Sequence, residues 1–283
     1  MPEISVTLPD GSSLAVSEGA TVRDVAEKIG ARLAAAALAG RVDGRMVDIG
    51  ATVTDGARVE IITERSPEAL ELLRHSAAHV MAEAVKQLFP LAKFGIGPAI
   101  DEGFYYDIQI DRTFTPDDLG AIEERMRAIV AEEQPFERTV LDKLEAERVF
   151  DGQPYKLELI AELPDDEELS AYTSGIFTDL CRGPHVPHTG WVKAFKLMKV
   201  AGAYWRGDST RPMLQRIYGT AWFSQKDLEE YLTRLEEAEK RDHRKLGRDL
   251  DLFHFDDHAP GLVFWHPKGW TLWQGVEQYM RKV

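Results

Sequence analysis

The sequence predicts an α+β protein with more than one domain. Three observations lead there. Short strand-like runs separated by Asp-Gly turns fill most of residues 1–64, a long helical stretch follows, and strands and helices then mix before a charged helix near residue 230. The 283 residues are 44% hydrophobic and 29% charged, ordinary for a globular chain and enough for roughly two buried cores.

The first unit begins with "ISVTLPDGSSLAV", read as a strand, a Pro-Asp-Gly turn and a second strand. "TVRDVAEKIG" follows as a short helix, with Thr21 as cap, Asp24 three residues on and Gly30 at its end. Strands return in "AALAGRVDG", "RMVDIG" and "RVEIIT", with turns at Asp43-Gly44 and Asp55-Gly56. Strands flanking one helix predict a β-grasp, ubiquitin-like module over 1–64. It contains no histidine or cysteine, so a docking role is expected of it.

Ser66-Pro67 is expected to open a long helix that runs to Phe89 and stops at Pro90. Leu70, Leu73, Ala77, Met81, Ala84 and Leu88 form one apolar stripe on it. His75 and His79 fall on the opposite side, toward solvent or a cleft. "KFGIGPAIDEGFYYDIQI" reads as strands with glycine turns, and "TPDDLGAIEERMRAIVAEE" as a helix with an acidic first turn. "KLEAERVF" reads as a short helix, and "AFKLMKVAGAYWRGD" with "PMLQRIYGTAWF" as a β-hairpin. One charged amphipathic helix is expected over 226–247, and residues 248–283 as the start of a further, truncated unit.

Composition narrows the setting. A single cysteine, Cys181, excludes an internal disulfide and fits a reducing, cytoplasmic compartment. The start "MPEISVTLPDG" lacks the basic and apolar regions of a signal peptide, and no apolar run approaches a membrane span. The net charge of −14 argues against nonspecific adhesion to nucleic acid. It is uneven: residues 117–170 hold 17 acidic and 6 basic residues, whereas 182–216 hold seven basic residues against Asp208 alone. Such a basic stretch suits either an anionic partner docked in one orientation or a solvated hairpin.

Two motifs carry chemistry. "RHSAAHV" places His75 and His79 one helical turn apart, but Ser76 stands where a zincin needs glutamate. "TDLCRGPHVPHTG" places Cys181 and His185 around Arg-Gly-Pro, a sequence that favours a tight loop. His75, His79, Cys181 and His185 together make a possible tetrahedral set of three nitrogens and one sulfur. Surface histidines and a buried structural cysteine fit the spacing equally well.

The pair "HSAAH" and "DLCRGPH", followed by "FKLMKVAGAYWRGD" and "MLQRIYGTAW", resembles the editing domain of bacterial threonyl-tRNA synthetases. The first module resembles that family's TGS domain, and "RDHRKLGRDLDLFHFDDHAPGLVFWHPKGW" resembles its linker helix and the entry to its class II core. The resemblance covers essentially all 283 residues in the family's order. It implies a TGS domain over 1–64, an editing domain over 65–225, a linker helix over 226–247 and the beginning of the class II core over 248–283.

The function so implied is hydrolysis of mischarged seryl-tRNA(Thr). Serine lacks one methyl of threonine, and a missing methyl gives only about 1–3 kcal/mol of discrimination, so a second, hydrolytic site is needed. By the resemblance, His75 orients or deprotonates water, Lys156 stabilises the developing negative charge, and Asp179 orients the lysine or binds the seryl amine. His79, Cys181, His185 and Tyr106 shape the pocket and hold the terminal adenosine. The partner implied is the tRNA(Thr) acceptor end; the aromatic and basic residues of "GAYWRGD" suit a contact with it, and Tyr204 and Trp205 suit the core of the hairpin equally well. Editing is expected to need no metal or other cofactor. The ligase active centre, with ATP, magnesium and zinc, is expected beyond Val283, along with the homodimer contact, which leaves this chain a monomer without ligation activity. Alanine at His75 or Lys156 is expected to slow hydrolysis and leave the fold intact. Two other readings stand beside this one: a zinc-dependent hydrolase of the alanyl type that uses the four-residue cluster, and a non-catalytic RNA-docking protein.

Overall fold

The computed structural model describes residues 2–164 and 167–282. The chain forms two compact units, one ending at Leu228 and one beginning at Glu229.

The first unit opens with the antiparallel pair β1 (Glu3–Thr7) and β2 (Ser13–Ser17), then α1 (Val22–Ile29). Thr21 and Asp24 form a reciprocal capping box at the start of α1, as their spacing predicts. A second short helix, α2 (Ala31–Ala36), was not foreseen; its alanines suit a helix but carry no amphipathic signal. β3 (Ala37–Val42), β4 (Arg45–Asp48) and β5 (Val59–Thr63) form an antiparallel sheet in the order β4-β3-β5. Val6, Val16, Val22, Val25, Val53 and Val59 fill the core between these layers.

The long helix, α3 (Ala69–Leu88), starts two residues later than the sequence suggests. Ser66 does not cap it. Its hydroxyl accepts from the Thr63 amide and closes a turn instead. The stripe expectation also needs correction. α3 is buried on almost every side from Leu72 to Val85, while Leu88, placed on the core stripe, is exposed. Its many alanines let neighbours pack on several faces, so hydrophobic periodicity under-reported its burial.

Those neighbours are β6 (Lys93–Phe94), β7 (Ala99–Ile100), β8 (Gly103–Gln109), β12 (Ala194–Tyr204) and β13 (Met213–Trp222), all antiparallel, in the order β12-β13-β8-β6 with β7 on β8. α4 (Pro116–Ala131), capped by Thr115 and Asp118, packs beside α3. β9 (Glu137–Leu141), β10 (Leu169–Ser174) and β11 (Phe177–Leu180) form a second antiparallel sheet. Two helices, α5 (Lys143–Val149) and α6 (Pro154–Glu162), precede β10. One apolar cluster surrounds α3, and it includes Leu38, Ala39 and Ile62 of the β-grasp sheet. The β-grasp module and the domain around α3 therefore share a core.

The stretch expected as one linker helix over 226–247 is two helices. α7 (Gln225–Lys240) and α8 (His243–Asp249) part at Arg241 and Asp242, where the Asp242 carboxylate accepts from the Arg244 amide and caps α8. β14 (Phe253–Phe255), β15 (Val263–Trp265) and α9 (Pro267–Lys282) complete the second unit. No helix among the described residues is long and apolar enough to cross a membrane.

The basic stretch is largely spent on internal pairing. Arg182 meets Glu167, Lys196 meets Glu123, Arg206 and Arg211 share Glu158, and Arg216 meets Asp107. "GAYWRGD" splits likewise: Trp205 is buried against Tyr155 and Leu214, and Tyr204 is exposed.

Candidate active site

Seven residues singled out from the sequence converge in one place. α3 supplies His75 and His79 one turn apart. β8 alternates so that Tyr106 points into the core while Tyr105 points out toward Arg216. Pro154 opens α6, and Lys156 lies in its first turn, buried to 3% exposure. This helix is unforeseen from the sequence, which offered Lys156 no obvious reason to be inside. β11 carries Asp179, and the loop after it carries Cys181 and His185. Gly183 makes that loop possible: its φ is +64°, and a Cβ there would collide with the Tyr172 hydroxyl.

The first half of the site is a buried charge centre. Lys156 Nζ is ion-paired with Asp179 Oδ1, and both side chains are 4% exposed. The Tyr106 hydroxyl donates to Asp179 Oδ2 at 2.5 Å and accepts from Lys156 Nζ at 3.1 Å. His79 Nε2 lies 3.4 Å from the same Oδ2. Burial alone would raise the Asp179 pKa; Lys156, His79 and the hydrogen bonds outweigh it and hold the carboxyl below its ordinary range. Burial pushes the Tyr106 hydroxyl up and keeps it a donor. Burial likewise drives His79 down to about 3, so it is a neutral ring at physiological pH.

The second half is a histidine–thiol cluster whose protons can be placed by elimination. Ser76 Oγ donates its one proton to Leu72 O at 3.0 Å. It therefore accepts from the Val186 amide at 3.1 Å and from His185 Nδ1–H at 3.0 Å. His185, which burial holds neutral, is left with a lone pair on Nε2, facing Cys181 Sγ at 3.5 Å. Burial raises the Cys181 thiol to about 12, so it keeps its proton, and that proton goes to His185. Cys181 Sγ then accepts from the Gly183 amide at 3.2 Å and from His75 Nε2–H at 2.9 Å. This leaves Nδ1 of His75 as its lone-pair nitrogen. Burial also lowers the His75 pKa, against the opposing pull of Asp179. His75 alone of the three histidines reaches the wall of an open cavity of about 230 Å³, shared with Met46, Glu68, Glu71, Leu72, Gly183 and Pro184.

The candidate ligand atoms of His75, His79, Cys181 and His185 lie within 4.8 Å of one another, so these four could hold a metal ion. Zinc bond lengths imply a nitrogen–sulfur separation of about 3.6 Å in a tetrahedral site; the Cys181–His185 pair, at 3.5 Å, matches it, and the His75–Cys181 pair, at 2.9 Å, is shorter.

Four further residues were missed. Ser76 fixes the His185 tautomer; in the sequence it shows only as the break in the zincin pattern. Phe136 stacks on the His185 ring at 4.7 Å and 11°. Tyr172 meets the edge of that ring at 4.6 Å. Asp48 reaches in from the β-grasp module. A serine between two helical histidines is the one local signal available; the other three are distant in sequence from His185, whose ring Phe136 and Tyr172 touch and whose backbone amide Asp48 holds.

Residues 4–63 match the TGS domain family. Residues 169–218 match the family described as the threonyl and alanyl tRNA synthetase second additional domain. Threonine–tRNA ligase of Polaromonas naphthalenivorans is 59% identical over 282 residues, 99% of this chain and 44% of the relative. The ligases of Teredinibacter turnerae, at 59% over 280 residues, and Methylibium petroleiphilum, at 58% over 282, cover the same 44% of their own lengths. This chain is a homologue of threonine–tRNA ligases. It spans a little under half the length of the curated relatives it matches. The threonine–tRNA ligase resemblance drawn from "HSAAH" and "DLCRGPH" is thereby established. The second-additional-domain match takes in Asp179, Cys181 and His185; His75, His79, Tyr106 and Lys156 lie outside it in sequence and reach it through the fold.

Proposed function

We propose that this chain hydrolyses seryl-tRNA(Thr) at the aminoacyl ester, as an editing activity of the threonine–tRNA ligase family. The observation that carries this reading is the packing of His75, the buried Lys156–Asp179–Tyr106 centre and the Cys181–His185 loop into one connected cluster, from which His75 reaches an open cavity. The acyl-adenosine end of the tRNA enters beside His75. Nδ1 of His75 accepts a proton from the attacking water, a role that needs the neutral ring its burial favours. Lys156 has three N–H donors, of which Asp179 and Tyr106 take two; the third stabilises the oxyanion as the ester carbonyl is attacked. Asp179 holds the lysine in place and supplies its counter-charge. His79 and His185 stay neutral and wall the pocket. The partner is the tRNA(Thr) acceptor end, and this chain acts as a monomer. A single-turnover deacylation assay with matched seryl- and threonyl-tRNA(Thr) tests the proposal.

The family resemblance implies hydrolysis through water without a bound metal. The compact set of four donors is the observation that favours the zinc-dependent alternative. Protein purified without added metal is expected to carry well under one zinc per chain, and chelation is expected to leave deacylation unchanged. Stoichiometric zinc, with activity lost on chelation and restored by zinc, would transfer the chemistry to the metal.

A further inference from the structure

Asp48 stands at the end of β4, in the β-grasp module, yet its carboxylate is spent on the loop that carries His185. Oδ1 accepts from the His185 backbone amide at 3.0 Å, and Oδ2 accepts from the Tyr172 hydroxyl at 2.6 Å. The Tyr172 ring meets the edge of the His185 ring, and its hydroxyl occupies the space that Gly183 leaves by having no side chain. One carboxylate thus fixes both the backbone of His185 and the aromatic wall beside it. The attachment is firm on the β-grasp side. Arg41 pairs with Glu68 just before α3, and Leu38, Ala39 and Ile62 belong to the same apolar cluster as α3. Asp48 lines a cavity of about 570 Å³ between the two modules, with Tyr172 and His185 on the facing wall.

We infer that Asp48 is a positioning residue of the hydrolytic site, so that the β-grasp module forms part of the editing pocket and is more than a docking appendage. This inference rests on the proposed hydrolysis. Asp48 touches no reacting group. It acts through His185, which receives the Cys181 thiol proton and so obliges His75 to donate through Nε2 and keep Nδ1 free. With the loop released, the thiol proton can turn to His75 and remove the base. Misplacement of such a group by about 1 Å can cost on the order of 100-fold in rate.

The test compares Asp48→Ala, Asp48→Asn and Tyr172→Phe in the full 283-residue chain. Two readouts are used: single-turnover seryl-tRNA(Thr) deacylation, and side-chain ¹⁵N NMR of the histidines. Asp48→Ala is expected to lower the maximal rate constant about 10–100-fold with less than threefold change in half-saturating enzyme concentration, and to shift the His185 nitrogen signals. Asp48→Asn keeps an acceptor for the His185 amide and lets its own amide donate to Tyr172, so it is expected to recover most of the rate. Tyr172→Phe removes one arm, with an intermediate effect, and serves should Asp48→Ala fail to fold. Wild-type rate and unchanged His185 signals in folded Asp48→Ala would overturn the inference, as would an Asn variant no better than alanine. Shifted signals in a protein without deacylase activity would leave the positioning intact and reject the proposed hydrolysis.

Discussion

Lys156→Ala is expected to lose both editing and stability. Lys156 and Asp179 are a buried pair, each 4% exposed, and alanine leaves the carboxylate with only Tyr106 and His79 as donors. Breaking such a pair from one side costs about 3–5 kcal/mol, or roughly 6–20 °C in melting temperature for a unit of this size. The burial of this pair therefore replaces the sequence-based expectation of an unperturbed fold: Lys156 is the cation that balances Asp179. The loss of one oxyanion donor adds about 10²–10³-fold in hydrolysis rate, which must be read well below the lowered melting point. The double variant Lys156→Met/Asp179→Asn separates the two effects. It removes both charges and is expected to recover most of the melting temperature while editing stays at the Lys156→Ala level. Differential scanning calorimetry and single-turnover deacylation on the three proteins check this.

His75→Ala is expected to be the cleaner variant. His75 is half-buried at the rim of its cavity, so truncation opens space toward solvent and leaves no unpaired buried charge. Its loss is expected to slow deacylation by about 10²–10⁴-fold, the usual contribution of a positioned acid–base group, with the melting temperature nearly unchanged. The pH dependence follows from the direction of its shift. Burial lowers the His75 pKa below 6.5, so the ring remains a neutral base as pH falls through the ordinary histidine range. The wild-type rate is expected to hold from neutral pH down past 6.5 and to decline only as the ring protonates below that. A midpoint at 6.5 or above would contradict the lowering of the His75 pKa by burial. The His75→Ala/Lys156→Ala double variant is expected to fall short of the product of the single effects, because both groups act on one attack. Lys199→Ala is the control: its ammonium lies over Tyr218, away from the cluster.

Local structure was legible in the sequence wherever a short-range signal controlled it. Thr21 with Asp24 and Thr115 with Asp118 cap their helices as their spacing indicates. The turns at Asp43-Gly44 and Asp55-Gly56 close where expected, with positive φ at Asp43, Gly44 and Gly56. What escaped was set by tertiary packing. α3 is enclosed by two sheets and a helix, which no periodicity within it could report. α6 buries Lys156 because Asp179 waits 23 residues downstream. The linker broke at Asp242 because an aspartate there caps a new helix better than it continues the old one. The histidines and the Cys-His loop could be named from their motifs. The proton pattern that gives each a role depends on Ser76, Phe136, Tyr172 and Asp48, contacts that exist only in the folded chain.

The proposed site is expected to hydrolyse the mischarged ester and spare the correct one. Single-turnover deacylation by the 283-residue protein, run in parallel on seryl-tRNA(Thr) and threonyl-tRNA(Thr) at saturating enzyme, tests it most directly. Rapid loss of the seryl ester is expected, with a rate at least tenfold lower on the threonyl ester and collapse of the difference in His75→Ala. Equal rates on the two esters, or a seryl rate no faster than in buffer alone, would contradict it.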